Sequence, residues 1–570
     1  MTVAPAIAEH YPALNEAQRT IVGHLDGPLL VIAGPGSGKT HSIVLRALNL
    51  LLLEKALPRQ LVLCTFTEKA AFEMRDRLAA AARKVGYTGD LSDLAVSTIH
   101  SFCNRVLTLH RHRTELGHSF DTLDELTQLL LIFEHFDEII GPPENDLFLG
   151  KWKTRWTAIE GARGYFDKIT EELVAPDQLT ASTDPFLAAI GNAYRRYQRA
   201  LLDTNRTDFA HLQRLVYDLL GDLGTADAVT RDLRYVLVDE YQDTNYIQEQ
   251  LLLKLTERSR NLCVVGDEDQ SLYRFRGATV RNILEFPQRM PGCATVKLTT
   301  NYRSHRAIVE RYDRWMASTD WSNPRGGAPF RYDKTIEADA AGTHPDYPSV
   351  IAIWGKDKRD EAARFADLVE FLRQNEVIAD YGQVALLLHS VREDHSGPYL
   401  AALEAKGIPA FCPRARAYFE ISEVSDLVAC FAVLFGWHGN GRGQVSGAVA
   451  ELATYVDDAI VQLARRFGAP HPLAECLQRW TGDIAALQEG EALDLRPADY
   501  FYHLLALDPF KSAVRNENTA RNLATFSQLL NVFQSYYHYT VVTHKNREFL
   551  RFNFFNSFLR LLYDGGINEY

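Results

Sequence analysis

Hydrophobic residues in the first half of the chain gather in short continuous runs instead of alternating with polar ones. Leu29–Ala33, 61–66, Tyr235–Val238 and 262–265 are the clearest of these. A run apolar on both faces predicts a strand of a parallel sheet that is covered by helices on both sides. Each run ends at Gly, polar or acidic residues, where an open α/β sheet gathers its ligand sites. Between the second and third runs, residues 109–205 carry helical periodicity and few strand signals, which predicts a helical insertion. A second α/β stretch follows, with strands expected at 350–354 and 384–388 and a helix at 360–374 between them. In that helix Ala362, Phe365, Val369 and Leu372 recur at a spacing of three to four, giving one buried stripe. From Trp437 onward the pattern is almost wholly helical, and Phe554, Phe558, Leu561 and Leu562 share one face of the last helix.

At 570 residues the chain exceeds what one core usually supports, so several domains are expected. A formal net charge of −12 argues against a uniformly basic coat, yet it leaves room for one basic groove. The seven cysteines show no C-x-x-C pair and read as thiols of a reducing compartment. Met1 to Tyr11 lacks the pattern of a secretory signal. The densest apolar stretch, from Ile43 to Leu53, contains Arg46 and is too short to span a bilayer. The expectation is a cytoplasmic protein with no membrane partner.

Candidate chemistry begins at Ala33-Gly34-Pro35-Gly36-Ser37-Gly38-Lys39-Thr40, between an apolar run and an apolar helix. Glycines there let backbone N–H groups turn inward around phosphates, and a helix N-terminus adds partial positive charge. Lys39 would reach the β- and γ-phosphates of ATP, and the Thr40 hydroxyl would ligate Mg²⁺. The bland alternative is a Gly-rich turn before a helix, which explains neither the Lys-Thr pair nor its place after a strand. Adjacent carboxylates at Asp239 and Glu240 end the third run. Alone they would read as a helix cap; beside a phosphate loop, Asp239 suits Mg²⁺ and Glu240 suits the attacking water.

Seven blocks, in order, now resemble the UvrD/Rep family of superfamily 1A DNA helicases. Asn15-Glu16-Ala17-Gln18 resembles its Q motif, and the phosphate loop its motif I with Ala33 where Gly is usual. Residues 65–71 (TFTEKAA) resemble motif Ia, 97–102 (STIHSF) motif Ib, and 239–245 (DEYQDTN) motif II. Residues 265–278 (VGDEDQSLYRFRGA) resemble motif III, and Asn301-Tyr302-Arg303-Ser304 motif IV. A looser likeness continues from Tyr418 to Asp426. The resemblance implies that Gln18 and Tyr302 meet adenine, that Gln270 senses the γ-phosphate, and that Arg303 acts as an arginine finger. It also implies that Thr65, Phe66, His100, Tyr273, Phe275 and Arg276 contact DNA, with aromatic rings offered to unstacked bases. Two departures stand out: His41 follows Thr40 where an Arg is usual, and Glu68 brings a carboxylate to a position where Asn is common. Residues 151–156 (KWKTRW) admit two readings, a duplex-contacting patch or an amphipathic helix burying its tryptophans.

The family's later motor blocks, a T-x-H-x-x-K-G-L-E segment and a second arginine block, have no counterpart here; Thr543-His544-Lys545-Asn546 lacks the K-G-L-E. The fold expected is therefore α/β, a P-loop NTPase (RecA-like) parallel sheet with large helical insertions, plus an incomplete second RecA-like domain. Expected boundaries are 1–108 with 205–295 (domain 1A), 109–204 (insertion 1B), 296–436 (partial domain 2A) and 437–570 (insertion 2B). The expected function is an ATP- and Mg²⁺-dependent 3′→5′ helicase or translocase on single-stranded DNA and single/double-strand junctions. Its alternatives are a shortened ATP- and DNA-binding subunit whose partner supplies the missing motifs, or the first part of a helicase–nuclease.

Overall fold

The computed structural model of the chain describes residues 2–565 except 118, 275–276, 325, 327–328, 343–347, 392, 411, 413–417 and 443–448. Phe275 and Arg276 thus lie outside the described residues. The chain divides into two compact units, Met1–Gln128 with Phe136–Ile351, and Leu129–His135 with Ala352–Tyr570.

The first unit is built on a six-stranded sheet. Its strands are β1 (Leu29–Ala33), β2 (Leu61–Thr65), β3 (Ala95–Thr98), β4 (Tyr235–Val238), β5 (Leu262–Gly266) and β6 (Ala294–Leu298), in the order β3-β2-β4-β5-β1-β6. Every pairing is parallel. Helices α1 (Glu16–Gly23), α2 (Lys39–Leu52), α3 (Glu68–Lys84) and α4 (Ile99–His110) are joined by α5 (Arg155–Glu171), α6 (Pro185–Asp203) and α7 (Phe209–Leu219). Then come α8 (Tyr246–Thr256), α9 (Arg281–Arg289) and α10 (Arg306–Ala317). Successive residues of β1 point to opposite faces, so Leu29, Val31 and Ala33 enter one core while Leu30 and Ile32 enter another. This is why the strand reads as an unbroken apolar run. Edge strand β6 escaped the sequence pattern for the converse reason: its burial alternates, and only every second residue is apolar.

The stretch 109–205 is mainly helical, as its periodicity predicts, but residues 140–154 form turns and isolated β-bridges, and a three-residue strand, Asp121–Leu123, pairs with Arg206–Asp208. Trp152, just ahead of α5, packs edge-on against Tyr165 and Phe186, and Lys151 lies over both of those rings. Trp152 thus serves packing, but not as part of an amphipathic helix: residues 151–154 precede α5, Trp152 bridges to Phe148, and Trp152 and Trp156 are both half-buried.

The second unit is mainly helical. Its longer helices are α11 (Lys358–Gln374), α12 (Glu393–Ala405), α13 (Ser422–Leu434), α14 (Val449–Phe467), α15 (Pro472–Ala486) and α16 (Glu517–Tyr537). The stripe of α11 packs on α12 through Ala366, Val369 and Leu403. The strands expected at 350–354 and 384–388 do not form. An apolar run becomes a strand only where a neighbour completes its ladder, and among the described residues neither run has one. Trp354 and Leu387 are accordingly 71% and 91% exposed. Phe554, Phe558, Leu561 and Leu562 are all buried, as one face of the final helical stretch. Among the described residues no helix is long and apolar enough to cross a membrane, and all seven cysteines are free thiols.

Candidate active site

β1 delivers the chain into the glycine loop, and Gly38, at a φ of 85°, turns it into α2. Gly36, at a φ of 66°, also occupies the left-handed region that glycine enters without steric cost. A Cβ on Gly36 would lie 2.5 Å from Asn301 Oδ1 and 2.9 Å from Arg303 Cβ, so only glycine fits between the loop and the Asn-Tyr-Arg-Ser segment. The Ser37 hydroxyl donates to Gly34 O at 2.6 Å and holds the loop closed on itself. Lys39 and Thr40 open α2, where the unsatisfied N–H groups of the first turn favour an anion.

Facing the loop, β4 ends at the acidic pair. The Thr40 hydroxyl donates to Asp239 Oδ2 at 2.8 Å, and the Lys39 ammonium pairs with Glu240 Oε2 at 2.9 Å. Glu240 holds a φ of 53°, a left-handed backbone that costs a non-glycine residue about 1 kcal/mol and aims its side chain at Lys39. Burial, then the neighbouring Glu240, pushes the Asp239 carboxyl up to about 6. The same two causes push Asp243 up to about 7. Asp243 Oδ1 is buried with no hydrogen-bond partner. This is an anionic pocket short of positive charge, and its Thr hydroxyl and Asp carboxylate are hard oxygen donors that fit Mg²⁺. Among the described residues no group of three His, Cys, Asp or Glu could hold a metal by itself. Mg²⁺ in a phosphate-loop site needs no such group, because phosphate oxygens and water complete its shell.

On the opposite side of the loop, Asn15 caps α1, and its amide donates to the Tyr302 hydroxyl at 2.9 Å. The Gln18 amide donates to Ser37 O at 3.2 Å and accepts from Asn15 N at 3.1 Å. Tyr302 N donates to Gly36 O at 3.0 Å, while its ring is 46% exposed. Gln18, Tyr302 and Arg303 therefore converge on the loop from segments almost 300 residues apart in sequence. His41 is exposed, its ring 5.5 Å from that of Tyr11. Partial desolvation, then Lys84 and Arg77, lower its pKa, so its imidazole brings little positive charge to the loop at neutral pH.

The acidic run after β5 is less open than its composition suggests. Gln270 Nε2 donates to Asp267 Oδ2 at 2.6 Å, and Asp267 N donates to Gln242 Oε1 at 3.0 Å. Gln242 Nε2 in turn donates to Glu240 Oε2 at 2.8 Å. Lys334 contacts all three carboxylates of Asp267, Glu268 and Asp269, and Arg331 pairs with Asp269. Asn282 of α9 donates to Thr244 O and Asn245 O at 3.2 and 3.0 Å, tying the end of the 239–245 block to α9. Sequence reasoning missed Gln242, Asn282, Arg331 and Lys334. Gln242 stood inside a recognised block, but no local pattern marks the other three.

The residues expected to contact DNA lie just beyond. The Phe66 and Tyr273 rings stack with centroids 5.0 Å apart. Thr65 is buried at the end of β2. His100 is half-buried, with Nε2 2.9 Å from Gln213 Nε2 and its ring edge-on to Phe209. Burial lowers its pKa to about 4, so it is neutral and adds no charge for a phosphate. The Glu68 carboxylate accepts from Ser101 and Thr98 hydroxyls at 2.6 and 2.7 Å, and those bonds hold its pKa down. Its charge is thereby shared with two donors of α4 and its cap. A cavity with room for about one water joins the two groups of residues, lined by Thr65, Phe66 and His100 on one side and Asp239, Glu240 and Thr244 on the other.

Residues 14–291 match the family model of the UvrD/REP helicase N-terminal domain. This segment is a UvrD/Rep-like helicase N-terminal domain. It is 32% identical over 435 residues to the ATP-dependent DNA helicase UvrD1 of Mycobacterium tuberculosis, a match covering 74% of this chain and 52% of that protein. It is 35% identical over 298 residues to the ATP-dependent DNA helicase PcrA of Bacillus subtilis, covering 52% of this chain and 38% of PcrA. A probable DNA helicase II homolog of Rickettsia conorii is 28% identical over 440 residues, covering 75% of this chain and 61% of that one. The chain spans about half the length of the curated relatives it matches.

Proposed function

We propose that this chain binds and hydrolyses Mg·ATP at the Lys39–Glu240 site and uses the cycle to move along single-stranded DNA. The observation that carries the reading is the pair of bonds, Lys39–Glu240 and Thr40–Asp239, which join the phosphate loop to the acidic strand end at 2.9 and 2.8 Å. In the reaction Lys39 leaves Glu240 for the β- and γ-phosphates, and Glu240, released, orients and deprotonates the attacking water. Thr40 and Asp239 would hold Mg²⁺, which neutralises phosphate charge. Gln270 and Arg303 meet the charge that develops on the γ-phosphate, while Gln18 and Tyr302 hold the base. The DNA strand runs over Phe66 and Tyr273; Phe275 and Arg276, outside the described residues, are proposed as further DNA contacts from their place in the sequence alone. We further propose domain 1A at 1–108 and 205–295, insertion 1B at 109–204, part of domain 2A at 296–436 and insertion 2B at 437–570. Movement in the 3′→5′ direction, preference for single/double-strand junctions and a cytoplasmic location complete the reading.

Equilibrium binding tests it. A fluorescent ATP analogue with Mg²⁺ and a labelled oligothymidylate should each bind the chain, and EDTA should weaken the first far more than the second. Binding of neither, or nucleotide binding indifferent to EDTA, contradicts the proposal.

A further inference from the structure

Lys334 and Arg331 belong to none of the sequence blocks, and the phosphate chemistry above does not use them. The Lys334 side chain is 1% exposed, and its ammonium lies 2.6, 2.9 and 3.3 Å from Asp267, Glu268 and Asp269. Arg331 Nε donates to both oxygens of Asp269, at 3.0 and 3.1 Å, and the Tyr312 hydroxyl of α10 donates to Asp269 Oδ2 at 2.6 Å. Tyr332 N donates to Glu268 Oε1 at 2.9 Å. Three consecutive buried carboxylates would repel one another and suffer desolvation, so this loop holds its shape only because two cations meet it. Were the pairs exposed they would matter little; buried as they are, loss of one partner strands the others.

Asp267 is the junction between this cluster and the nucleotide site. Its Oδ1 takes Lys334, its Oδ2 takes the Gln270 amide at 2.6 Å, and its backbone N–H reaches Gln242, whose other end holds Glu240. The chain of bonds has little slack: a Cβ on Gly266 would sit 2.6 Å from Gln242 Oε1 and 2.8 Å from Ile283 Cδ1.

We propose that Lys334, supported by Arg331, is a positioning residue that fixes Asp267 and thereby aims the Gln270 amide at the terminal phosphate. The distinction this protein makes between ATP and ADP then depends on a lysine more than 60 residues beyond the loop it orders. The proposal rests on the nucleotide reading above.

Its test is the ratio of dissociation constants for Mg·ADP and a non-hydrolysable Mg·ATP analogue, measured on the full chain. Lys334→Met should reduce the ratio about tenfold, the effect of losing one charge-assisted contact, while ADP affinity moves by less than about threefold. Lys334→Arg should restore the ratio. The double variant Lys334→Met/Gln270→Ala should be no worse than Gln270→Ala, because one residue acts through the other. A merely structural role would move both constants together and multiply with Gln270→Ala. An unchanged ratio in Lys334→Met, or multiplied losses in the double variant, overturns the proposal and leaves the nucleotide reading intact. A wild-type chain that binds neither nucleotide overturns both. Should Lys334→Met fail to fold, the charge-balanced Lys334→Met/Glu268→Gln variant takes its place with the same expectations.

Discussion

Glu171, at the last turn of α5, should make the insertion lose stability as pH rises. Its carboxylate bonds the side chain of Asn245, and a Cβ on Gly277 would collide with its Oε2, so it abuts the ends of the second and third motor blocks. Burial, then the charge of Asp167, pushes its pKa from 4.5 to about 8. Between those values the folded state keeps a proton that the unfolded state releases. Its contribution to stability is therefore fully present below pH 4.5 and is lost as pH rises through 8. At about 1.4 kcal/mol per pH unit the interval sets a ceiling near 5 kcal/mol, and solvent at the half-buried carboxylate trims this to about 2 kcal/mol. Glu171→Gln keeps the shape and an amide partner for Asn245 but removes the proton. Asp167, pushed up to about 6 on the same helix, has the same sign, so the difference between wild type and variant is the informative quantity. Hydrogen exchange in peptides from α5 should report it, after correction for the intrinsic pH dependence of exchange. Wild-type protection should fall between pH 5.5 and 8, and the variant should fall less and be the better protected by about 2 kcal/mol at pH 8. Parallel profiles for the two proteins would refute the reasoning.

Other outcomes follow from the same geometry. Lys39→Ala removes the ammonium that faces the phosphates, and calorimetry should show Mg·ATP affinity falling more than about tenfold, roughly 1.4 kcal/mol; unchanged affinity would mean the loop is misassigned. Tyr273→Ala should cost single-stranded DNA binding about 1–3 kcal/mol with little change in salt slope, whereas Arg276→Ala should flatten that slope, both read by anisotropy over a salt series. Gly36→Ala combines left-handed strain with a clash against Asn301, whose Oδ1 already accepts from Arg303 N and Ser304 N at 2.8 Å. It should weaken ATP binding by about 2 kcal/mol, and wild-type affinity would show that loop and Asn301 separate freely.

What the sequence made legible followed from where its signals are local. Strands β1, β2, β4 and β5 are buried on both faces and announce themselves as apolar runs. β6, half-buried at an edge, does not. The runs at 350–354 and 384–388 carry the composition of strands, yet a ladder needs a neighbour, and propensity alone cannot supply one. Lys39, Thr40, Asp239 and Glu240 could be named because their chemistry demands fixed residue types at fixed places beside a strand. Lys334 could not be: it is one of 61 basic residues, and nothing near it in sequence foretells the three carboxylates that it meets.

In the proposed mechanism Glu240 activates water for ATP hydrolysis coupled to DNA. Phosphate release from Mg·ATP, with and without oligothymidylate, measured on wild type and Glu240→Gln, tests it most directly. Turnover should rise with DNA in the wild type and disappear in the variant, while the variant still binds nucleotide. Equal turnover in the two proteins, or a wild type that hydrolyses ATP at a rate indifferent to DNA, would contradict it.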